Sequence, residues 1–295
     1  ELVYGGKMRR EDILANEDGV HPVPLQVEKI FNGQRLQWKD GWRNIIAFGD
    51  NLQFLKTIYE NKDPLIKNKV KGKVKLIYID PPFATESDFK SKTGEKAYTD
   101  KIKGAEFVEF LRRRLIVARE LLADDGCIYI HLDWKKSHYI KLILDEVFGV
   151  NNFRNEIIWF YRRWTAGSYS FQKMHDTLYF YSKTNNYIFN KIHIETTEGQ
   201  KQKHEKGWDR NSVLIKGKRC PQLIVYNQEK VDIAIQSGQI NIKEYSKVIN
   251  IDIDKTIAPD VWEINYINSQ AKERLDYPTQ KPENLIERII RASTN

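Results

Sequence analysis

Apolar positions along the chain alternate between short continuous runs and helical stripes. Ile45-Ile46-Ala47-Phe48 is a run that stops at Gly49-Asp50, and Leu52, Leu55 and Tyr59 follow at helical spacing. That predicts a helix with Asp50 or Asn51 near its cap. Alternating lysines from Lys67 to Lys75 lead into Leu76-Ile77-Tyr78-Ile79, a buried-strand pattern ending at Asp80-Pro81-Pro82-Phe83. The polar stretch from Ala84 to Gly104 reads as a mobile loop. Phe107, Phe110, Leu111, Leu115, Ala118, Leu121 and Leu122 then form one helical stripe, closed by Asp124-Asp125-Gly126. Cys127 to Leu132 reads as a strand, and Ser137 caps a helix that stops at Gly149. Two more strands are predicted at Ile157–Tyr161 and Leu178–Tyr181, and a final helix opens at Pro282. Strand–helix alternation over residues 45–150 predicts a doubly wound α/β sheet.

The pattern divides the chain into an N-terminal extension (1–44), an α/β core (45–184), a weakly patterned segment (185–276) and a return to the core (277–295). With 295 residues, of which 41% are hydrophobic and 12% aromatic, the chain can fill a sizeable core. Its net charge of +8 suits a polyanionic partner. Two cysteines, Cys127 and Cys220, form neither a disulfide framework nor a zinc spacing, and they fit the reduced thiols of a cytoplasmic protein. No segment has the apolar length of a membrane span or the h-region of a signal peptide. The histidines show no metal or triad spacing, so no metal is expected.

Asp80-Pro81-Pro82-Phe83 closes a predicted strand, where open α/β sheets place their ligands. A carboxylate beside a backbone carbonyl can accept both hydrogens of an exocyclic amine whose lone pair is delocalised into a base. Two prolines restrict the backbone that carries those carbonyls. The aromatic ring that follows can stack on a base drawn out of a duplex. A plain strand-ending turn explains the four residues in isolation about equally well.

In its ordered blocks the chain resembles the β-class amino-methyltransferases of restriction-modification systems. Type III modification subunits and adenine-specific methylases are the most similar. The blocks are Phe48-Gly49-Asp50-Asn51-Leu52, Leu76 to Phe83, Phe107 to Gly126, Met174-His175-Asp176 to Ser182-Lys183, Asp260-Val261-Trp262, Ala271 to Arg274, and Tyr277-Pro278-Thr279-Gln280-Lys281-Pro282. The resemblance implies a Rossmann-like sheet in circularly permuted order, incomplete in this chain, with a small target-recognition lobe over 185–276. It implies S-adenosylmethionine as cofactor and methyl transfer to the exocyclic amine of adenine in DNA. Asp80, Pro81, Pro82 and Phe83 become the catalytic and target-base residues, with Asp80 also close to the donor. Asp50 would accept from the adenosyl part of the donor. Thr279, Gln280, Lys281 and Pro282 form the donor-binding turn, with Lys281 facing the methionine carboxylate.

Asp at the first motif position resembles adenine methylases, while Phe83 stands where Tyr is more usual. The family's Gly-rich donor turn has no counterpart here, since no Gly-x-Gly occurs in the chain. The resemblance therefore implies that this turn lies beyond residue 295 or on another chain, and that this segment alone transfers methyl groups poorly. Candidate partners are double-stranded DNA with a flipped base, a restriction subunit and a second copy of the chain. Arg162, Arg163 and Trp164, a cation–aromatic cluster after a strand, are candidate DNA contacts. Cytosine or RNA as substrate, and a specificity subunit without catalysis, are the alternatives.

Overall fold

A strand turns alternate side chains to opposite faces, and that period of two organises the central sheet. The computed structural model describes residues 2–31, 42–81, 88–90, 96–99, 104–163, 169–194, 198–251, 257–268, 270–275, 277 and 279–295. The chain divides into two units, one of Glu1–Asn190 with Asp260–Asn295, the other of Lys191–Pro259.

The first unit begins with α1 (Arg10–Leu14), α2 (Asn51–Glu60), β1 (Val74–Ile79), a strand pair β2 (Asp88–Lys90) and β3 (Lys96–Thr99), α3 (Gly104–Leu121) and β4 (Leu122–Leu132). It continues with α4 (Ser137–Phe148), β5 (Phe153–Phe160) and β6 (His175–Ser182). The second unit holds α5 (Glu198–Lys206), β7 (Trp208–Ile215), β8 (Lys218–Val225), α6 (Gln228–Gln236) and β9 (Lys247–Asn250). The chain then returns to the first unit through β10 (Val261–Glu263) and α7 (Glu283–Ser293).

The main sheet has the order β1-β4-β6-β5-β10. β1 runs parallel to β4 and β10 parallel to β5, while β6 is antiparallel to both neighbours. The sheet is therefore mixed, and β1, β4, β5 and β10 all point their carboxyl ends to one edge. Along β4, Ile128, Ile130 and Leu132 enter a core with the α3 residues Leu111 and Leu115 and the α4 residues Ile140 and Leu144. Cys127 and Tyr129 enter the opposite core, with Trp159, Phe180 and the α7 residues Leu285 and Ile289. Helices thus cover both faces, and each fully buried Leu or Ile contributes about 1.5–3 kcal/mol. The N-terminal segment joins this unit: Ile13 is buried in the first core, and Tyr4 Oη donates to Glu109 Oε2 at 2.7 Å.

Four local expectations change. Ile45–Phe48 forms no strand; Ile46 is 89% and Phe48 100% exposed. Among the described residues no strand pairs with it, and a strand needs a partner to meet its backbone donors and acceptors. The stretch 84–104 contains the antiparallel pair β2–β3. The break at Asp124-Asp125-Gly126 lies inside β4, because Leu122 already pairs with Val74 and the register then jumps to Leu76 with Cys127. Ser137 is the first helical residue rather than the cap, and Asp133 Oδ1 instead accepts from the backbone of Lys135 and Lys136.

The second unit is a three-stranded sheet, β7-β8-β9, packed by α6 through Trp208, Leu223, Val225, Val231 and Ala234. Its hairpin turns at Lys216-Gly217, both with positive φ (49° and 78°), as a two-residue primed turn requires. Among the described residues, no helix is long and apolar enough to cross a membrane.

Candidate active site

The period of two that built the second core also builds the site. Tyr78 on β1, Trp159 on β5 and Leu178 on β6 share that face, and so do the positions two residues further toward the carboxyl edge. Those positions are Asp80 after β1, Tyr161 after β5 and, at the amino end of β6, Asp176. His131, two residues beyond Tyr129 on β4, completes the row. The turn before α7, the helix that covers this face, brings in Lys281.

These side chains form one network. Lys281 Nζ donates to Asp80 Oδ2 at 2.6 Å and to the backbone oxygen of Thr279 at 3.1 Å. His131 Nδ1 lies 3.3 Å from Asp80 Oδ1, and its Nε2 lies 3.1 Å from Asp176 Oδ2. Tyr78 Oη is 3.1 Å from the same Nδ1, and Tyr161 Oη donates to Asp176 Oδ1 at 3.1 Å. The Trp159 ring meets the imidazole edge-on, with centroids 5.4 Å apart. His131 is fully buried, while Asp80 keeps 27% of its side chain exposed. Burial pushes the Asp80 carboxyl up, but the hydrogen bond from His131 and the charge of Lys281 outweigh it and hold it below the ordinary carboxylate range. Burial lowers His131, yet its bonds to Asp176 and Asp80 prevail and raise it above the ordinary histidine value. Burial, with Asp80 and Asp176 nearby, pushes the Tyr78 phenol upward, so its hydroxyl stays protonated. The result is an ionised, partly accessible carboxylate held between Lys281 and His131 at the carboxyl edge of the sheet. It can accept hydrogen bonds and is a weak base.

The other expected residues are placed as follows. Pro81 is buried directly after Asp80, while Pro82, Phe83 and Trp164 lie outside the described residues. Asp50 caps α2, its Oδ1 accepting from the backbone of Leu52 and Gln53 at 2.9 and 3.0 Å. Its Oδ2 lies 3.4 Å from Arg114 Nη2, whose pKa burial lowers to about 10. A groove of about 690 Å³ opens there, lined by Asp50, Leu52, Gln53, Phe110, Arg113 and Arg114; Asp80 is not in its lining. Thr279 adopts a left-handed φ of 69°. The Gln280 amide is occupied by Leu275 N and Glu273 O, at 2.8 and 2.7 Å, and so holds the turn's own shape. Pro282 is the N-cap of α7. Arg162 Nε pairs with Glu263 at 3.3 Å, and the Arg163 guanidinium lies 4.9 Å from the Tyr161 ring centre.

Sequence reasoning missed His131 and gave Asp176 no role. A single polar residue in the apolar run Ile128-Tyr129-Ile130-His131-Leu132 was the available signal. It also missed Trp134, just past the end of β4, whose ring has Lys173 Nζ at 4.0 Å and Lys135 Nζ at 5.8 Å.

Fold and site together define an α/β protein with a cation-held carboxylate at the ligand edge of its sheet. Residues 74–295 match the N6/N4 DNA methylase family, and the chain belongs to that family. It is 32% identical over 266 residues to the type II methyltransferase M.EcaI of Enterobacter cloacae, an alignment covering 80% of this chain and 58% of that protein. It is 26% identical over 289 residues to the type III restriction-modification enzyme EcoPI Mod subunit of Escherichia phage P1, covering 88% of this chain and 42% of that one. The chain thus spans roughly half the length of these relatives. Among solved structures, it is similar to the cytosine-N4-specific PvuII DNA methyltransferase, with a TM-score of 0.43 and 13% identity over 84% of this chain and 69% of that one.

Proposed function

We propose that the chain carries the acceptor half of an enzyme that methylates the exocyclic amine of adenine in DNA, as the modification activity of a restriction-modification system. The observation that carries this reading is the Asp80 carboxylate, ionised and pinned between Lys281 and His131 at the carboxyl edge of the sheet. Asp80 would accept one amino hydrogen of the target base and a backbone oxygen of the Pro81-Pro82 segment the other, drawing nitrogen toward a tetrahedral shape. Its low pKa suits an acceptor that does not retain the proton. Phe83 would stack on the flipped base. Arg162, Arg163 and Trp134 would meet the phosphate backbone or an unstacked base nearby.

The residues present fit S-adenosylmethionine in part. Asp50 lines the groove, its Oδ2 facing Arg114 at 3.4 Å, and a carboxylate oxygen there can accept a second hydrogen bond from the hydroxyls of the adenosyl ribose. Thr279 and Pro282 shape the turn that carries Lys281. Gln280 is engaged within that turn, and Lys281 is directed at Asp80, so Lys281 is assigned to the acceptor carboxylate rather than to the donor's methionine end. When bound, the cofactor supplies an activated methyl group. The chain's own residues orient the amine and neutralise the site.

The test is incubation of the full-length protein with duplex DNA and methyl-labelled S-adenosylmethionine, followed by mass spectrometry of the nucleosides. N6-methyldeoxyadenosine is expected. N4-methyldeoxycytidine would move the reading to cytosine. Retained DNA with no methylated base would replace it with a specificity subunit.

A further inference from the structure

We propose that His131 is a positioning residue: an imidazolium, protonated on both ring nitrogens, that clamps Asp80 against Asp176 and fixes the direction in which Asp80 meets the target amine. The inference rests on the amine-methylating reading for its consequence, but its geometry stands independently.

The distances favour one state of the ring. A neutral imidazole has one donor and one acceptor nitrogen. Here both nitrogens face carboxylates, Nδ1 at 3.3 Å from Asp80 Oδ1 and Nε2 at 3.1 Å from Asp176 Oδ2. Carboxylates only accept. The Nδ1–H tautomer would set the Nε2 lone pair against Asp176 in a position fully withdrawn from water, where unmet polar groups are costly; the Nε2–H tautomer would leave the Nδ1 lone pair facing Asp80, with the Tyr78 hydroxyl, 3.1 Å away, as its donor and no bond from the ring to Asp80. The imidazolium meets both.

Charge gives the same answer. The groups facing the ring are Asp80 and Tyr78 from β1, Asp176 from β6, Trp159 from β5 and Lys281 from the turn before α7. Asp80 and Asp176 are balanced by Lys281 and a protonated His131. A neutral ring would leave one uncompensated negative charge at the site. Asp133, the next carboxyl along β4, is directed to the backbone N–H groups of Lys135 and Lys136. Tyr161 secures the far oxygen of Asp176 at 3.1 Å, and the Tyr78 hydroxyl can share the Nδ1 hydrogen.

The consequence is orientational. Lys281 holds one Asp80 oxygen and His131 the other, so rotating the carboxylate breaks at least one charge-assisted bond. The lone pairs left over point where the substrate amine must come. Loss of the His131 proton frees one oxygen and lets Tyr78 donate to Nδ1 instead.

The first measurement is NMR on the chain labelled with ¹⁵N-histidine, the His131 signal being assigned by its loss in His131→Gln. Both ring nitrogens should carry hydrogens at pH 7.5, and titration should begin only above the usual histidine range. Asp176→Asn should lower that titration, and it also identifies the signal if His131→Gln does not fold. A neutral His131 at pH 7.5, with the proton residing on a carboxyl or absent, overturns the clamp. The second measurement is methyl transfer by the full-length protein. His131→Gln should lower kcat about ten- to a hundredfold with the KM for DNA within about threefold, and activity of the unsubstituted protein should fall on the alkaline side. An unchanged kcat overturns the positioning role even if the ring is charged. A charged ring in a protein that methylates no exocyclic amine sinks the functional reading and not the clamp.

Discussion

Replacing Asp80 with Ala removes one side chain from a network that depends on it at both ends. Lys281 loses its partner at 2.6 Å, and buried His131 loses the group facing Nδ1. The substrate amine loses its charged acceptor. A positioned group acting on a proton in the transition state contributes about 10²–10⁴ in rate, or about 3–5 kcal/mol. That term falls on kcat, because the hydrogen bond strengthens as the amine nitrogen changes shape. DNA affinity rests mainly on phosphate contacts elsewhere, so KM should move only a few-fold. The structural cost is separate: a buried cation facing an empty position loses about 1–3 kcal/mol, part of which water entering the half-open site recovers. Steady-state methylation of duplex DNA by full-length Asp80→Ala, with filter binding and thermal melting in parallel, separates the three quantities. The expected result is kcat down by about 10²–10⁴, DNA binding within a few-fold and a modestly lower Tm. Transfer persisting within a few-fold of the unsubstituted protein would refute the assignment. Asp80→Asn should be nearly as poor, because its amide sets an –NH₂ against either Lys281 or His131.

Three further outcomes are expected. His131 is raised from an unperturbed 6.5, so the stability it contributes is complete below 6.5 and lost as pH rises through its folded value; Asp80 is depressed from 3.8, so its contribution is complete above 3.8 and lost as pH falls through its folded value. Melting curves should therefore show a loss above neutrality that Asp176→Asn reduces, and an equal loss in both proteins would count against the network. Lys56 and Asp18 form an ion pair with side chains 1% and 0% exposed, so Lys56→Met should cost about 3–5 kcal/mol in urea denaturation, most of it recovered on adding Asp18→Leu. Burial raises the Cys127 thiol to about 11 while Cys220 is partly exposed, so a thiol reagent on the native chain should label Cys220 quickly and Cys127 only after unfolding.

Elements whose signal is local were legible in the sequence. The α3 stripe, the Gly149 stop at φ 92° and the Asp50 cap follow from side-chain spacing and backbone chemistry that neighbours do not change. Elements whose existence depends on pairing were less so. Ile45–Phe48 has a strand's composition and, among the described residues, no strand beside it, so composition alone misleads there. The β7–β8 hairpin was hidden for the opposite reason. Its turn is Lys216-Gly217 rather than Asn-Gly, and the strands it joins mix apolar residues with Arg210, Asn211, Lys218 and Arg219, which masks the alternation.

The site divides along the same line. Asp80 was legible because a motif marks it, and Lys281 because it sits in a second motif, but their contact spans the whole core sequence and neither motif announces it. His131 and Asp176 carry no motif at all. What selects them is register: Cys127 opposite Ser182 fixes Tyr129 opposite Phe180 and His131 opposite Leu178, and the shared face then brings Asp176 to the imidazole. A slip of one residue in β4 would turn His131 into the α3–α4 core and away from Asp80, and a slip in β6 would turn Asp176 away from the imidazole. The apolar residues of β4 and β6 therefore have a chemical consequence. By making any other register bury polar groups in a hydrocarbon core, they hold the carboxylate–imidazole–carboxylate row in line without touching a ligand themselves.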